Sequence, residues 1–308
     1  MANQPVPLSC ITDTTNRVIL YYQTFIGFGD VLKNSEYLTH VHLSAIHFGK
    51  NPDGNPYIHL NDNNPNDPIF DSVWLDMNQA HEKGIKVVLM IGGAGSAFTE
   101  LFCDYDVYFK MLCDTINQYK CISGVDLDVE EYVELNDIRR LIGDINEEFG
   151  NEFIIAMAPL GSSLMDDEPG MGGFSYKTLY GTPEGQRINY FNGQFYGGSF
   201  GINTYEMAIN NGYPPSKVVM GMESWDYSSS TFPNALATVR TLKSKYPDFG
   251  GVFDWEYFDA PPDPNDHSVW VVDMYKATHP DKNYNTSYKK KLYNYISKLL
   301  NVLSIKFK

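Results

Sequence analysis

The chain has 308 residues, 43% hydrophobic and 14% aromatic, with a net charge of −15 and a pI near 4.8. That length suffices for a large core in one α/β barrel, and so acidic a balance argues against nucleic acid or another polyanion as partner. No apolar run is long enough to span a membrane, and the opening Met-Ala-Asn-Gln-Pro-Val-Pro-Leu-Ser-Cys lacks the basic and apolar segments of a secretory signal. The expectation is a cytoplasmic protein, or one without a recognisable signal peptide that is exported by another route. Cys10, Cys103, Cys113 and Cys121 show no metal-type pairing and read as reduced thiols. A sequon at Asn285 would go unused in such a compartment.

In chain order, Val18–Gln23 is a short apolar run, followed by a Gly-containing connection and a brief helix near Asp30–Glu36. Leu38–Phe48 reads as the second strand. His40 and His42 share one face of it at metal-ligand spacing, but no third ligand accompanies them, so packed or hydrogen-bonded histidines are expected and no metal. Lys50–Pro68 is rich in Asn, Asp, Pro and Gly and reads as a long loop with a small hairpin around Tyr57–Leu60. Asp71–Lys83 has helical periodicity, with Val73, Trp74, Met77 and Ala80 on one side and Gly84 as the stop. Lys86–Ile91 is a continuous apolar strand ending in Gly92-Gly93, which permits either a sharp turn or the close approach of a ligand. A helix over 107–119 precedes the acidic stretch described below. A helix over Ile138–Phe149 follows it, capped by Gly150. Phe153–Pro159, Ile188–Tyr196, Val218–Met222 and Val252–Trp255 read as strands five to eight. Leu160–Gly173 is a loop, and helices fit at Tyr205–Asn211, Asn234–Tyr246 and Ser268–Thr278. Eight strands alternating with helices predict a (β/α)₈ TIM barrel in one domain over 14–280. An open doubly wound sheet would carry a Gly-rich phosphate loop after an early strand, and none is present.

From Lys282 onward there are seven lysines and no acidic residue, and Leu292, Ile296, Leu299, Leu300 and Leu303 form one apolar stripe. Residues 281–308 are therefore expected to be a basic amphipathic C-terminal helix. It either packs on the barrel's outer helices or docks on an anionic membrane or a partner.

The informative stretch is 122–134, Ile-Ser-Gly-Val-Asp-Leu-Asp-Val-Glu-Glu-Tyr-Val-Glu. Val125, Leu127 and Val129 alternate with Asp126, Asp128 and Glu130, which predicts a strand with all three acids on one face, neighbours about 6–7 Å apart. A solvated acidic face is one reading. The other is catalytic: like charges this close raise at least one pKa, and a carboxyl still protonated near neutral pH is a general acid. Two carboxyls at i and i+2 of one strand cannot straddle a sugar as the pair of a common retaining glycosidase does. In a glycosidase Glu130 would supply the proton, the substrate's own 2-acetamido group the nucleophile, and Asp128 its orientation.

Residues 123–130, Ser-Gly-Val-Asp-Leu-Asp-Val-Glu, resemble the D-G-x-D-x-D-x-E signature of glycoside hydrolase family 18, with Ser123 in place of the first Asp. That family holds chitinases and endo-β-N-acetylglucosaminidases and works by substrate assistance. The resemblance extends over nearly the whole barrel. Met90-Ile91-Gly92-Gly93 stands where the family often has S-x-G-G, and Ala156-Met157-Ala158-Pro159 matches the fifth-strand motif loosely. Gln194-Phe195-Tyr196 resembles the Q-x-Y of strand six, which implies that Tyr196 holds the acetamido group; Gln194 of this motif and Asp126 of the acidic signature are expected to contact substrate. Gly-Gly-Val-Phe-Asp-Trp at 250–255 resembles the eighth-strand motif, which implies Trp255 as the floor under the sugar. Ile58-His59-Leu60-Asn61-Asp62 with Pro65, Asp67 and Pro68, Ser162–Leu164, Gly173-Phe174-Ser175-Tyr176 and Trp255-Glu256-Tyr257-Phe258 are similar to the fungal endo-β-N-acetylglucosaminidase branch. So is Gly197 after Tyr196, where chitinases commonly have Asp or Asn. The implied activity is cleavage of the β-1,4 bond between the GlcNAc residues of the N-glycan core, with retention through an oxazolinium and without cofactor or metal. The implied partner is a GlcNAc-containing oligosaccharide or glycoprotein. The alternatives are a chitinase and a non-catalytic sugar-binding barrel; such lectins usually lose the terminal Glu, and Glu130 is present.

Overall fold

The computed structural model describes residues 15–280. Its strands are β1 (Arg17–Tyr22), β2 (His40–Lys50), β3 (Pro56–Leu60), β4 (Lys86–Gly92), β5 (Ile122–Asp128), β6 (Ile154–Met157), β7 (Tyr190–Gln194), β8 (Val218–Glu223) and β9 (Gly251–Trp255). Between them run α1 (Gly29–Lys33), α2 (Asp71–Glu82), α3 (Ala97–Cys103), α4 (Tyr105–Gln118), α5 (Leu135–Phe149), α6 (Gly161–Met165), α7 (Tyr176–Tyr180), α8 (Ile202–Asn210), α9 (Phe232–Lys245) and α10 (Ser268–Thr278). The order β1-β9-β8-β7-β6-β5-β4-β2 is parallel throughout, and the pairing of β1 with β2 closes it into a barrel. This is the expected eight-stranded barrel with flanking helices. β3 is extra: it lies antiparallel on the overlong end of β2 and supplies the expected small hairpin.

The longer helices are tied to the barrel by apolar stripes. In α5, Ile138, Leu141, Ile142 and Ile145 are fully buried at i, i+3, i+4 and i+7. Burial of each such side chain stabilises by roughly 1.5–3 kcal/mol. Gly150 ends the helix at φ 80°, a backbone position that a side chain would strain. The inward faces of the strands build a central cluster of Ile19, Tyr21, Ala45, Met90, Ala156, Tyr190, Val219 and Phe253. Large rings fit there because other inward positions are empty of side chain: a Cβ on Gly221 would lie 1.9 Å from the Phe253 ring. At the end where the strands begin, the Arg17 guanidinium lies 4.3 Å from the centre of the Tyr190 ring and donates to the carbonyls of Ser216 at 3.0 Å and Gly250 at 3.2 Å.

Three local expectations are corrected. The acidic strand stops at Asp128, because β4 offers no partner beyond Gly92 and β6 none beyond Met157. The single helix expected over 107–119 is α4, and a second helix, α3, precedes it. The loop at 160–173 holds α6, and α7 follows at Tyr176–Tyr180. Helices of two turns or fewer have too little length to display a period. The expected basic helix over 281–308, Cys10 and Asn285 lie outside the described residues.

Candidate active site

The C-terminal ends of the strands bring the acidic stretch to one mouth of the barrel, in two levels. The lower level centres on Asp126, which is fully buried. Its Oδ2 accepts from the Tyr21 hydroxyl at 2.5 Å and lies 2.9 Å from His42 Nδ1 and 3.4 Å from Asn192 Nδ2. Each partner is held in turn. Asn192 Nδ2 also donates to the Tyr21 oxygen at 2.9 Å, and His42 Nε2 lies 3.0 Å from the Tyr190 hydroxyl. Asp126 Oδ1 is buried without a hydrogen-bond partner among the described residues.

The upper level holds Asp128, buried, and Glu130, half-buried. One amide nitrogen joins them: Gln194 Nε2 donates to Asp128 Oδ1 at 3.2 Å, to Glu130 Oε1 at 3.5 Å and to the Ala158 carbonyl at 2.9 Å. Burial pushes the Asp128 carboxyl well above its ordinary value, and the charges of Glu130 and Asp126 push it further. Burial also raises Glu130, against the opposing pull of the Gln194 hydrogen bond. The backbone beside Asp128 is equally close. Gly92, at φ 98°, has no room for a Cβ, which would meet the Asp128 carbonyl oxygen at 2.3 Å, and Gly93 N donates to that oxygen at 2.9 Å. Gly92 is therefore needed for close backbone packing, and Gly93, at φ 78°, for a backbone position that a side chain would strain.

Tyr196 and Trp255, from the ends of β7 and β9, are half-buried and pack on the central cluster, so they roof it and floor the mouth. The Trp255 ring meets Tyr21 edge-on, with centroids 5.4 Å apart. Burial raises the Tyr196 phenol, and the Asp128 charge raises it further. Behind the floor, Ser224 donates to Asp254 Oδ2 at 2.8 Å and to the Glu256 carbonyl at 2.9 Å, tying β8 to β9. The Glu256 carboxylate accepts from the Gln23 and Thr24 amides at 3.0 and 3.1 Å, tying β9 to β1.

Scans against family models and against curated proteins gave no match. Among solved structures, the chain is similar to a fungal endo-β-N-acetylglucosaminidase from glycosyl hydrolase family 18. Identity is 30% over 86% of this chain and 99% of that one, with a TM-score of 0.75. The chain belongs to glycoside hydrolase family 18. It is also similar to the chitinase ChiC from Aspergillus fumigatus, at 29% identity over 80% of this chain and 94% of that one, TM-score 0.73. A xylanase-A-amylase inhibitor protein shares the fold alone, at 13% identity over 86% of this chain and 98% of that one, TM-score 0.54. The fold therefore does not by itself decide catalysis, and the site must.

Of the residues singled out in this family 18 chain, Asp128, Glu130 and Gln194 meet directly, while Tyr196 and Trp255 share the floor. Asp126 stands one level below, among groups that would keep it from substrate. Gln194 is turned to the acids, a place the Q-x-Y resemblance does not specify. The two histidines part company: His42 serves Asp126, whereas His40 bonds Thr39 Oγ1 at 2.8 Å from Nδ1. Ser123 lies near the start of β5, where its hydroxyl donates to the Cys121 carbonyl at 3.3 Å. Asn61 of the H-L-N-D stretch is a brace, accepting from Ala45 N at 3.1 Å and donating to the Gln23 carbonyl at 3.2 Å. Sequence reading missed Tyr21 and Asn192, which stand on β1 and β7, far from the acidic stretch in the chain. It also missed Glu131, masked by the acid before it.

Proposed function

We propose that this chain cleaves the β-1,4 bond between the two GlcNAc residues of the N-glycan core, with retention of configuration. The carrying observation is the pair Asp128 and Glu130 on one side of the mouth, sharing the Gln194 amide, with both carboxyls raised. Carboxyls so placed do not face each other across a sugar, so the substrate's acetamido oxygen is the nucleophile that fits. Glu130 gives its proton to the glycosidic oxygen as the C1–O bond breaks, and the acetamido carbonyl oxygen bonds to C1. Asp128 accepts the acetamido N–H and stabilises the positive oxazolinium, and the Tyr196 hydroxyl is a second partner for the same group. Water then adds at C1, loses its proton to Glu130, and the ring C–O bond opens to restore the acetamido group. Trp255 offers an apolar face to the sugar's C–H groups.

An oligosaccharide substrate is supported by the rim. Tyr132, Trp225 and Phe258, on the loops after β5, β8 and β9, are 66%, 63% and 42% exposed, and Ile26 and Met171 expose apolar surface on the loops after β1 and β6. Apolar surface left open at one end of a barrel suits sugar faces. A chitinase is the second reading, favoured by the likeness to ChiC. The deciding experiment supplies a high-mannose glycopeptide and chitohexaose in parallel and follows the first-formed anomer by NMR. The proposal expects a β-hemiacetal from the glycopeptide at a rate well above that on chitohexaose. Faster cleavage of chitohexaose would establish the second reading, and an α product would remove the mechanism.

A further inference from the structure

The ladder of β5 ends at Asp128, whose last cross-strand partner is Gly92, so Glu130 sits on a segment without strand pairing. A proton donor must hold its place to a fraction of an ångström, and here the hold comes from both flanks. On one side Val133 N donates to the Gly172 carbonyl at 3.0 Å, on the loop that follows β6. On the other, the Glu131 carboxylate reaches the first turn of α3. It accepts from Phe98 N at 2.6 Å, from Thr99 N at 3.1 Å and, in a short bond, from the Thr99 hydroxyl. α3 has no side-chain cap from the residue before it, Ser96, so Glu131 supplies from another loop what the helix lacks. The far end of this link is rigid as well. Phe98 is fully buried, and its ring is so close to Gly92, opposite Asp128, that a Cβ there would meet it at 2.5 Å.

We propose that Glu131 is the positioning residue of the proton donor: by clamping its segment to α3 it sets where the Glu130 carboxyl stands relative to the scissile oxygen. A carboxylate suits this place because its two oxygens take three donors at once, and bonds to a charged acceptor are about twice as strong as neutral ones. With both oxygens engaged, Glu131 is not itself the donor. The inference rests on Glu130 acting as general acid, and the test separates the two claims.

Aryl β-glycosides of diacetylchitobiose and of a mannosylated GlcNAc are made with dinitrophenyl and with phenyl leaving groups. Dinitrophenolate departs without a proton, whereas phenolate needs one. Glu131→Ala should lower kcat/KM on the phenyl glycosides by ~10–100-fold and leave the dinitrophenyl glycosides within about threefold. Glu131→Gln, which keeps one acceptor oxygen, should recover part of the phenyl rate, and Thr99→Val should show the same selectivity in weaker form. Melting temperatures accompany each variant, and if Glu131→Ala does not fold the other two carry the test. An equal fall on both leaving groups, or no change on either, overturns the positioning role. Wild-type protein inert on every glycoside, or a Glu130→Gln variant without leaving-group selectivity, would instead overturn the reading of the site, and this inference with it.

Discussion

Asp126 and the pair above it are carboxyls of one short stretch, the end of β5 and the segment that follows it, and the protein treats them in opposite ways. Asp126 is ringed by Tyr21, His42 and Asn192, whose own positions are fixed by further bonds. Asp128 and Glu130 share one amide between them, and burial raises both. Several contacts converging on one buried carboxyl oxygen, Asp126 Oδ2, from groups that are themselves bonded, hold a core group in place, whereas carboxyls that share a single donor have protons to exchange. The lower level is built to stay, the upper to react.

The upper level should fail completely when its acid goes. Glu130→Gln keeps shape and removes the transferable proton, so kcat on a glycopeptide should fall by ~10²–10⁴-fold or more, with sugar binding retained. Binding by calorimetry beside turnover checks both halves. A near-wild-type rate would end the distinction between the levels.

Asp128→Asn should slow oxazolinium formation, lowering kcat more than it raises KM. It should also stabilise the fold near neutral pH, and the sign follows from proton counting. Burial raises the folded Asp128 above its ordinary 3.8, so between the two values the native state holds a proton that the unfolded chain releases. Wild-type stability therefore falls as pH rises through that window and stays reduced above it. Melting curves should show the variant ahead of wild type at pH 7, with the advantage shrinking toward pH 3. An advantage independent of pH would mean that burial does not raise the Asp128 carboxyl.

The acids of both levels were legible in the sequence, while two of the groups around Asp126, Tyr21 and Asn192, were not, for a physical reason. Asp126, Asp128 and Glu130 announce themselves because three acids alternating with Val and Leu are too costly to be incidental. Gln194, Tyr196 and Trp255 follow from the family resemblance, which names residues but not contacts, and so the bridging of both acids by Gln194 shows only in the folded chain. Tyr21 and Asn192 belong to strands separated from β5 by long stretches of chain, and only barrel closure brings them to Asp126. The eight barrel strands were readable because buried strands are near-continuous apolar runs. Short α3, α6 and α7 were not, although Ser175, which caps α7 by accepting from Thr178 N at 2.9 Å, is a local signal that could have placed one of them.

Tyr196→Phe tests the floor of the upper level with a smaller effect. Losing the hydroxyl removes one contact to the acetamido group, so kcat should fall by ~10–100-fold, with KM changing less. Steady-state kinetics on the glycopeptide measure it. A rise in KM alone would make Tyr196 a binding group rather than one that acts as the oxazolinium forms.

The smallest effect on turnover is expected below, at Tyr21. Its ring is wedged edge-on against Phe253 at 5.1 Å and Trp255 at 5.4 Å, and Phe would keep both contacts. What Tyr21→Phe removes is the 2.5 Å bond to Asp126 and the acceptor for Asn192. Asp126 already has one buried oxygen without a partner among the described residues, so the lost donor falls on a carboxylate with little in reserve. Leaving buried polar groups short costs roughly 1–3 kcal/mol, more for a charged one. The urea midpoint should drop accordingly, while kcat and KM stay within about threefold because Trp255 and the upper acids keep their supports. Were Tyr21→Phe instead as stable as wild type and as slow as Asp128→Asn, the two levels would form one proton network, and Asp126 would belong to the reacting groups.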